Sequence, residues 1–422
     1  MNAAPTLHAE RDMGAVRWLL VAVTTSAGRR RVSAGPPAEA FMNHRLLSST
    51  SLRVQPRLGP RLLCSSTTPA ASIRRSRTAV MATAGAGESW CGHELLNTVT
   101  TVALVDIRGQ VVKHQDEGSD FFSTRYEGME ADYLDAHIPG AVFVDWTKDI
   151  AYTDENGVPA QLTDRESFVI AMQERGVGAD KRVVVYDNGD MLFATRFWWA
   201  MRRFGHDKVA VMDGGWAKWQ AEERDITPDC PCPLKVYTEW GIPLERERPG
   251  LIATSADIRA ALARRGKAGG GSDRQADAAV QLLDARAAAQ YTGEVRRARL
   301  GGHIPGAVNT PYRSFLAEGT GPDGSFRVFK DLEGITEVFE SAAVDTSPSA
   351  APIIAYCNGG VASTVALFLL FQLRELRGGG AAAAAASSSG SDSDGFGRGW
   401  WSNYDGSWNE WGSDEFAPVE RP

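Results

Sequence analysis

Cysteine is scarce in this chain: five in 422 residues, too few for a disulfide framework at that length. Long apolar runs are missing near the start, where the longest, Trp18–Val23, is far short of the ~20 residues a membrane helix needs. Lysine is absent from residues 1–87 and acids are almost so, twelve arginines facing only Glu10, Asp12 and Glu39. That segment therefore carries +9, and with a total of −7 the remainder carries −16. A nucleic-acid binder keeps its positive charge on the folded part, so this balance argues against one. What is present is apolar material, 43% of residues, with 9% aromatics, which excludes wholesale disorder. The length suggests two or three domains of roughly 150 residues each. The chain reads as a soluble globular protein with neither membrane nor nucleic acid as partner.

The first 87 residues are rich in Arg, Ser, Thr and Ala and have no sustained hydrophobic period. That composition is how an organellar transit peptide reads, for mitochondrion or chloroplast, and the segment is set aside from fold reasoning as disordered. Arg74–Ala82 offers a cleavage region, and Met81 a start for a shorter cytosolic form.

Beyond it the chain repeats itself. HIPGAV occurs at His137–Val142 and at His303–Val308, offset by 166 residues. Upstream of each, an apolar run ends in Asp-x-Arg: Asp106-Ile107-Arg108 and Asp284-Ala285-Arg286, offset by 178. Downstream, Val183–Tyr186 and Ile353–Tyr356 run into Asp187 and Cys357, offset by 170. Last come Asp213–Trp219 (DGGWAKW) and Asp405–Trp411 (DGSWNEW), offset by 192. Four landmarks in one order imply two homologous halves. The offset grows by 22 where the second half holds a Gly, Ala and Ser tract, 378–399, which cannot bury enough apolar surface to order itself. A smaller Gly-rich insertion spans 266–277; surface loops lengthen at little cost. The expected layout is a domain over 95–226, a proline-punctuated linker over 227–249, a second domain over 250–412 and a tail over 413–422.

Within each half, short β-branched runs alternate with helical stretches. Val102–Val105, Val183–Tyr186 and Val209–Met212 predict buried parallel strands, and Thr195–Arg203 and Ser363–Leu376 predict helices covering a sheet. The fold class expected is α/β with a mainly parallel sheet flanked by helices in each half. Function in such sheets gathers at the carboxyl ends of the strands.

One strand end carries a nucleophile. Ile353–Tyr356 runs into Cys357, the chain turns through Asn358-Gly359-Gly360, and a helix begins near Val361. Two glycines let backbone N–H groups fold toward the sulfur. Those groups and the helix dipole favour an anion there, which is expected to lower the thiol pKa. A thiolate so held is a nucleophile for covalent catalysis; a buried structural cysteine is the bland alternative.

These landmarks together resemble the tandem-domain rhodaneses, the thiosulfate and 3-mercaptopyruvate sulfurtransferases, over Leu95–Gly412. The resemblance implies two tandem rhodanese-like domains, of which only the C-terminal one is catalytic. It places the persulfide-forming cysteine at Cys357 and the inactive counterpart at Asp187. It implies ping-pong sulfur transfer: a sulfane sulfur passes from a small anionic donor such as thiosulfate to Cys357, then to cyanide or a thiol acceptor such as thioredoxin. Neither metal nor organic cofactor is implied. Arg286 matches the family's Asp-x-Arg arginine, as a substrate contact or a support for the loop formed by Asn358, Gly359, Gly360 and Val361. Arg297, with Arg296 and Arg299, could face the same anion or simply be solvated.

The match departs from the family in the loop. Thiosulfate-preferring members usually follow the cysteine with Arg and Lys, mercaptopyruvate-preferring members with Gly and Ser or Thr; Asn358 and Gly359 supply neither. The family's second substrate arginine is Gln290 here. Ser363 and Thr364 offer hydroxyls or act as helix caps. Thiosulfate is the donor first expected, with 3-mercaptopyruvate as the alternative. A degenerate binding or regulatory module is a non-enzymatic reading. A phosphatase on the same fold lacks its phosphate-binding arginine, since Ser363 stands at that place. His137 and His303 occur in both halves and predict a turn role; Trp216, Trp219, Trp408 and Trp411 predict packing. Cys230-Pro231-Cys232 fits neither a redox pair nor a zinc site; Cys64 is expected to leave with the leader, and Cys91 has no evident partner.

Overall fold

The computed structural model describes residues 102–114, 122–229, 237–267, 280–347, 349–378 and 400–421. The expectations placed on 1–87, on Cys91, on Cys230–Cys232 and on the two Gly-rich insertions beyond Lys267 and Gly378 lie outside these residues.

The first half is built on a four-stranded parallel sheet of order β4-β1-β7-β8, formed by Val102–Asp106 (β1), Ala141–Phe143 (β4), Arg182–Tyr186 (β7) and Val209–Val211 (β8). Each strand is short and β-branched, and β8 is buried on both faces, as strands between two helical layers must be. Helices Glu130–Asp135 (α1), Trp146–Asp149 (α2), Arg165–Glu174 (α3), Leu192–Arg203 (α4) and Gly215–Ala221 (α5) cover it. Two antiparallel ribbons leave it: Gly109–His114 with Ser123–Gly128 (β2, β3) and Ala151–Tyr152 with Gln161–Leu162 (β5, β6).

The second half repeats the plan with a five-stranded parallel sheet of order β11-β10-β14-β15-β9. Its strands are Ile252–Ala253 (β9), Gln281–Asp284 (β10), Val308–Asn309 (β11), Ile353–Tyr356 (β14) and Trp401–Tyr404 (β15). Ser255–Lys267 (α6), Ala288–Tyr291 (α7), Leu332–Ser341 (α8), Ser363–Gly378 (α9) and Ser407–Trp411 (α10) are its helices, and Leu316–Gly321 with Gly324–Phe329 (β12, β13) its hairpin. Both halves are therefore α/β with parallel sheets, as the alternation of β-branched and helical runs predicts. The helix expected at Thr195 starts three residues sooner, at Leu192.

The duplication extends to individual hydrogen bonds. Asp106 pairs with Tyr186 in β1–β7 and Asp284 with Tyr356 in β10–β14. His137 bridges Thr227 and His303 bridges Glu420, so the segments after the two D-G-x-W motifs return to the HIPG turns. Described residues of the interhalf segment and of the tail pack into the domains: Trp240 and Ala417 are buried. Trp240 packs edge-on against Phe168, ring centroids 5.7 Å apart.

The halves share one core. Helix α4 of the first lies against α9 of the second, with Thr195 and Thr364 hydroxyls 2.9 Å apart. Trp198 crosses the boundary to stack on Trp401 at 5.7 Å and to meet Phe368 edge-on at 5.1 Å. Trp198→Ala leaves a cavity walled by aromatic rings that cannot collapse into it, at a cost of about 3–5 kcal/mol. The expected outcome is an unfolding free energy lowered by that amount, read as a lower urea midpoint in a transition whose slope is unchanged; a loss under 1 kcal/mol would refute the shared core.

Candidate active site

Cys357 closes β14 at the carboxyl edge of the second sheet, with α9 beginning six residues on. Its neighbour by duplication, Asp187, closes β7 ahead of α4. The two strand-end loops are held alike: Trp216 N–H donates to the Asp187 carbonyl (2.8 Å) and Trp408 N–H to that of Cys357 (3.0 Å). Ala217 and Asn409 amides do the same for Asn188 and Asn358. The D-G-x-W motifs are thus the brackets of these loops, and their tryptophans pack as expected, Trp408 and Trp411 being buried.

What the loops hold differs. In the first half the Asp187 carboxylate accepts four backbone N–H groups, from Gly189 (2.8 Å), Met191 (3.2 Å), Phe193 (2.9 Å) and Ala194 (3.2 Å). Burial pushes this carboxyl up from its ordinary pKa, and those amides pull it back toward the anion. In the second half, with one residue fewer between the strand end and the paired threonines, the amides of Asn358, Gly359, Val361 and Ala362 have no acceptor among the described residues. Amides that a carboxylate engages in one half thus carry no hydrogen bond after Cys357 in the other. Free N–H groups just ahead of a helix favour an anion at that place.

Two of the loop amides do not face the sulfur. Cys357 N–H (3.1 Å) and Gly360 N–H (3.0 Å) both donate to Ser407 Oγ, whose own proton goes to the Tyr404 carbonyl. Ser407, in the second D-G-S-W, staples the turn shut. Cys357 is buried and unpaired by disulfide, and Ser363 Oγ lies 3.7 Å from its Sγ while donating to Asn403 Oδ1 at 2.6 Å. Gly360 has a φ of +69°, which only glycine adopts without strain, and a Cβ there would press on Asp405 Oδ1 at 2.7 Å.

The cations sort themselves by what they already hold. Arg286 is buried and bonded through Nε and Nη2 to Asp284 and through Nη2 to the Gly302 carbonyl (2.7 Å), its guanidinium lying over Trp408. Arg108 makes the corresponding ion pair with Asp106 beside Trp216 in the half without the cysteine, so the Asp-x-Arg arginines support the HIPG turn in both halves. Arg299 pairs with Glu415 on the surface. Arg297 alone of that cluster turns inward: it is 8% exposed, and its Nε and Nη1 have no partner among the described residues. Burial pushes its guanidinium pKa down. Gln290 accepts a hydrogen bond from Asn358 Nδ2 (3.0 Å), leaving Asn358 Oδ1 buried and unpartnered. His137 and His303 stack on Tyr133 and Tyr291 and bond backbone carbonyls, a turn role.

Three groups at the loop are not among the site residues the sequence singles out, and two of them, Arg196 and Tyr126, carry no signal in it. Arg196, on α4 of the first half, is fully buried; it donates to the Gly360 carbonyl (3.1 Å), to the Ala160 carbonyl (2.9 Å) and to Asp405 Oδ1. Asp405 Oδ2 in turn accepts the Leu162 amide at 2.6 Å. Tyr126, on β3 of the first half, brings its hydroxyl against Gly359. Asp405 opens a motif that repetition exposes, but its partners lie more than 200 residues away. Among the described residues no group of three or more His, Cys, Asp or Glu could hold a metal ion, and no helix is long and apolar enough to cross a membrane. A cleft of about 400 Å³ opens on the first half beside Tyr126, Trp146 and Ala160 and does not include Cys357.

Removing Arg196 leaves Asp405 buried without its countercharge, which costs about 3–5 kcal/mol. Arg196→Met is expected to lower denaturant stability by that much and to free the Gly360 carbonyl; a change below 1 kcal/mol would show that the latch carries no energy.

A family model described as a rhodanese-like domain matches residues 93–222 and 271–414. The 3-mercaptopyruvate sulfurtransferase of Escherichia coli K12 is 30% identical over 68% of this chain and 85% of its own length. A putative thiosulfate sulfurtransferase of Saccharopolyspora erythraea is 28% identical over 71% and 88%. In fold, the solved 3-mercaptopyruvate sulfurtransferase from Leishmania major superposes with a TM-score of 0.52 over 75% of this chain and 72% of that one, at 20% identity.

Proposed function

This chain belongs to the rhodanese family, and from that premise we propose that it is a sulfurtransferase whose second domain moves a sulfane sulfur from thiosulfate to cyanide or a thiol through a persulfide on Cys357. The observation that carries the reading is that Asn358, Gly359, Val361 and Ala362, following Cys357, have amides with no acceptor among the described residues, where the corresponding loop of the first half closes on the Asp187 carboxylate.

The chemistry follows from that geometry. The Cys357 thiolate attacks the outer sulfur of thiosulfate; a new S–S bond forms, the donor's S–S bond breaks, and its electron pair leaves with sulfite. The loop amides and the N-terminus of α9 stabilise the persulfide anion. Cyanide carbon or an acceptor thiolate then attacks the outer sulfur, and the Cys357 thiolate departs. Asp187 cannot form a persulfide, so the first domain does not carry the sulfur. A reduced thioredoxin would be a fitting thiol acceptor.

One observation favours a second donor, 3-mercaptopyruvate. Arg286 and Arg196 are engaged, whereas Arg297 keeps Nε and Nη1 without a partner among the described residues, and a single charge suits a single carboxylate better than a dianion. Parallel assays decide: thiocyanate formed from cyanide with each donor in turn. Cys357→Ser is expected to abolish transfer with either donor while the protein stays folded, and mass spectrometry of the wild type after donor treatment should show one added sulfur on Cys357. Transfer retained by Cys357→Ser would overturn the assignment; absence of transfer and of the adduct in the wild type would favour a non-enzymatic module.

Residues 1–87, Arg-rich and acid-poor, are proposed to address the chain to a mitochondrion or chloroplast, with a form starting at Met81 staying in the cytosol. A fluorescent protein fused after residue 87 should enter an organelle, and the same fusion starting at Met81 should not; equal cytosolic distribution of both would refute the address.

A further inference from the structure

Gly359 has no side chain, yet the place a side chain would take is occupied. A Cβ built there overlaps the Tyr126 hydroxyl and comes within 2.9 Å of Asn409 Nδ2. Tyr126 belongs to the β2–β3 hairpin of the first domain. That hairpin reaches the second domain at Phe122 too, whose amide donates to the Arg296 carbonyl at 3.3 Å. The phenol ring is fixed edge-on against Trp146, centroids 5.2 Å apart. Its oxygen accepts a hydrogen bond from Asn409 Nδ2 at 3.3 Å, while its own proton has no acceptor among the described residues. Burial, reinforced by Cys357, holds the phenol above its usual pKa and hence protonated, with Arg297 and Arg196 opposing. The Tyr126 hydroxyl is therefore a neutral donor, within electrostatic reach of the nucleophile and of the open Arg297 guanidinium.

We propose that Tyr126 is a substrate-contacting residue of the sulfur-transfer site, donating a hydrogen bond to an oxygen of the anionic sulfur donor as that donor parts from its sulfur. The inference rests on the sulfurtransferase reading above. In the step it assists, the Cys357 thiolate bonds to the donor's terminal sulfur and the bond behind that sulfur breaks. The electron pair leaves with sulfite, or with the enolate of pyruvate, which afterwards takes a proton from water. The phenolic proton is shared with the departing oxyanion and stays on Tyr126. Stabilising charge as it develops on the leaving group lowers the barrier, and supply of the donor from the first domain makes the active site a property of both domains.

The test separates the two half-reactions. Tyr126→Phe removes one oxygen and keeps the ring on Trp146, so its melting temperature should match the wild type. The rate of persulfide formation is expected to fall roughly tenfold to a hundredfold with thiosulfate, 3-mercaptopyruvate or both. Discharge of the preformed persulfide to cyanide should be unchanged. Gly359→Ser added to Tyr126→Phe puts a hydroxyl back into the vacated place, the ring Cζ standing 3.3 Å from the new Cβ, and should restore a large part of the lost rate. Persulfide formation at the wild-type rate in Tyr126→Phe with both donors would overturn the proposal, as would an equal loss in both half-reactions. A wild-type protein that forms no persulfide from either donor would instead overturn the sulfurtransferase reading itself.

Discussion

The Arg196 guanidinium is the hinge on which the active-site loop depends. It is buried in the first domain, but three of its hydrogen bonds end on the Gly360 carbonyl, on Asp405 and on the Ala160 carbonyl. Burying such a charge is unfavourable unless it is paired and hydrogen-bonded, and here the partners come from both domains at once. The loop that carries Cys357 is thereby clamped from outside its own fold. Asn403 Nδ2 shares the Gly360 carbonyl at 2.9 Å, and Ser407 ties the two amides on either side of the turn. A turn with that many fixed ends can leave its remaining amides unpaired, because they have nowhere else to go.

The duplication acts as an internal control on that statement. Around Asp187 the amides are quenched by a carboxylate one residue deep in the chain, a resident anion that needs no ligand. Around Cys357 a thiol, shorter and weaker as an acceptor, leaves them open. The same backbone plan thus gives a closed structural loop in one half and a receptive one in the other. The difference rests on the side chain at the strand end, on one deleted residue and on Ser407, which takes two amides of the second loop where the first half has Gly215.

The duplication, the parallel α/β plan and the two helices at the strand-end loops were legible because they depend on local patterns: β-branched runs, the Asp-x-Arg and HIPG landmarks, and the tryptophan motifs; the strand order and the packing of α4 on α9 were not, because they depend on contacts between distant segments. Cys357 stood out because strand, thiol and paired glycines are adjacent in the chain. Arg286 and Arg297 could not be told apart from spacing alone; only their partners distinguish them, Asp284 and Gly302 for the first and none among the described residues for the second. Arg196 and Tyr126 carried no signal, since their meaning lies in contacts with Asp405 and Gly359, each more than 200 positions away. A helix position that reads as exposed arginine by composition is at 0% exposure because the second domain covers it.

That last point bears on why a domain without a nucleophile accompanies one that has it. Taken alone, the second domain would expose Phe368 and Trp401 where Trp198 now packs. It would also leave Asp405 without a counterion and place nothing over Gly359. The first domain supplies an apolar wall, a charge and a hydroxyl, three things a thiolate site needs if water is to be kept away while an anion is held. The first domain is thereby built into the surroundings of the Cys357 loop rather than appended to it.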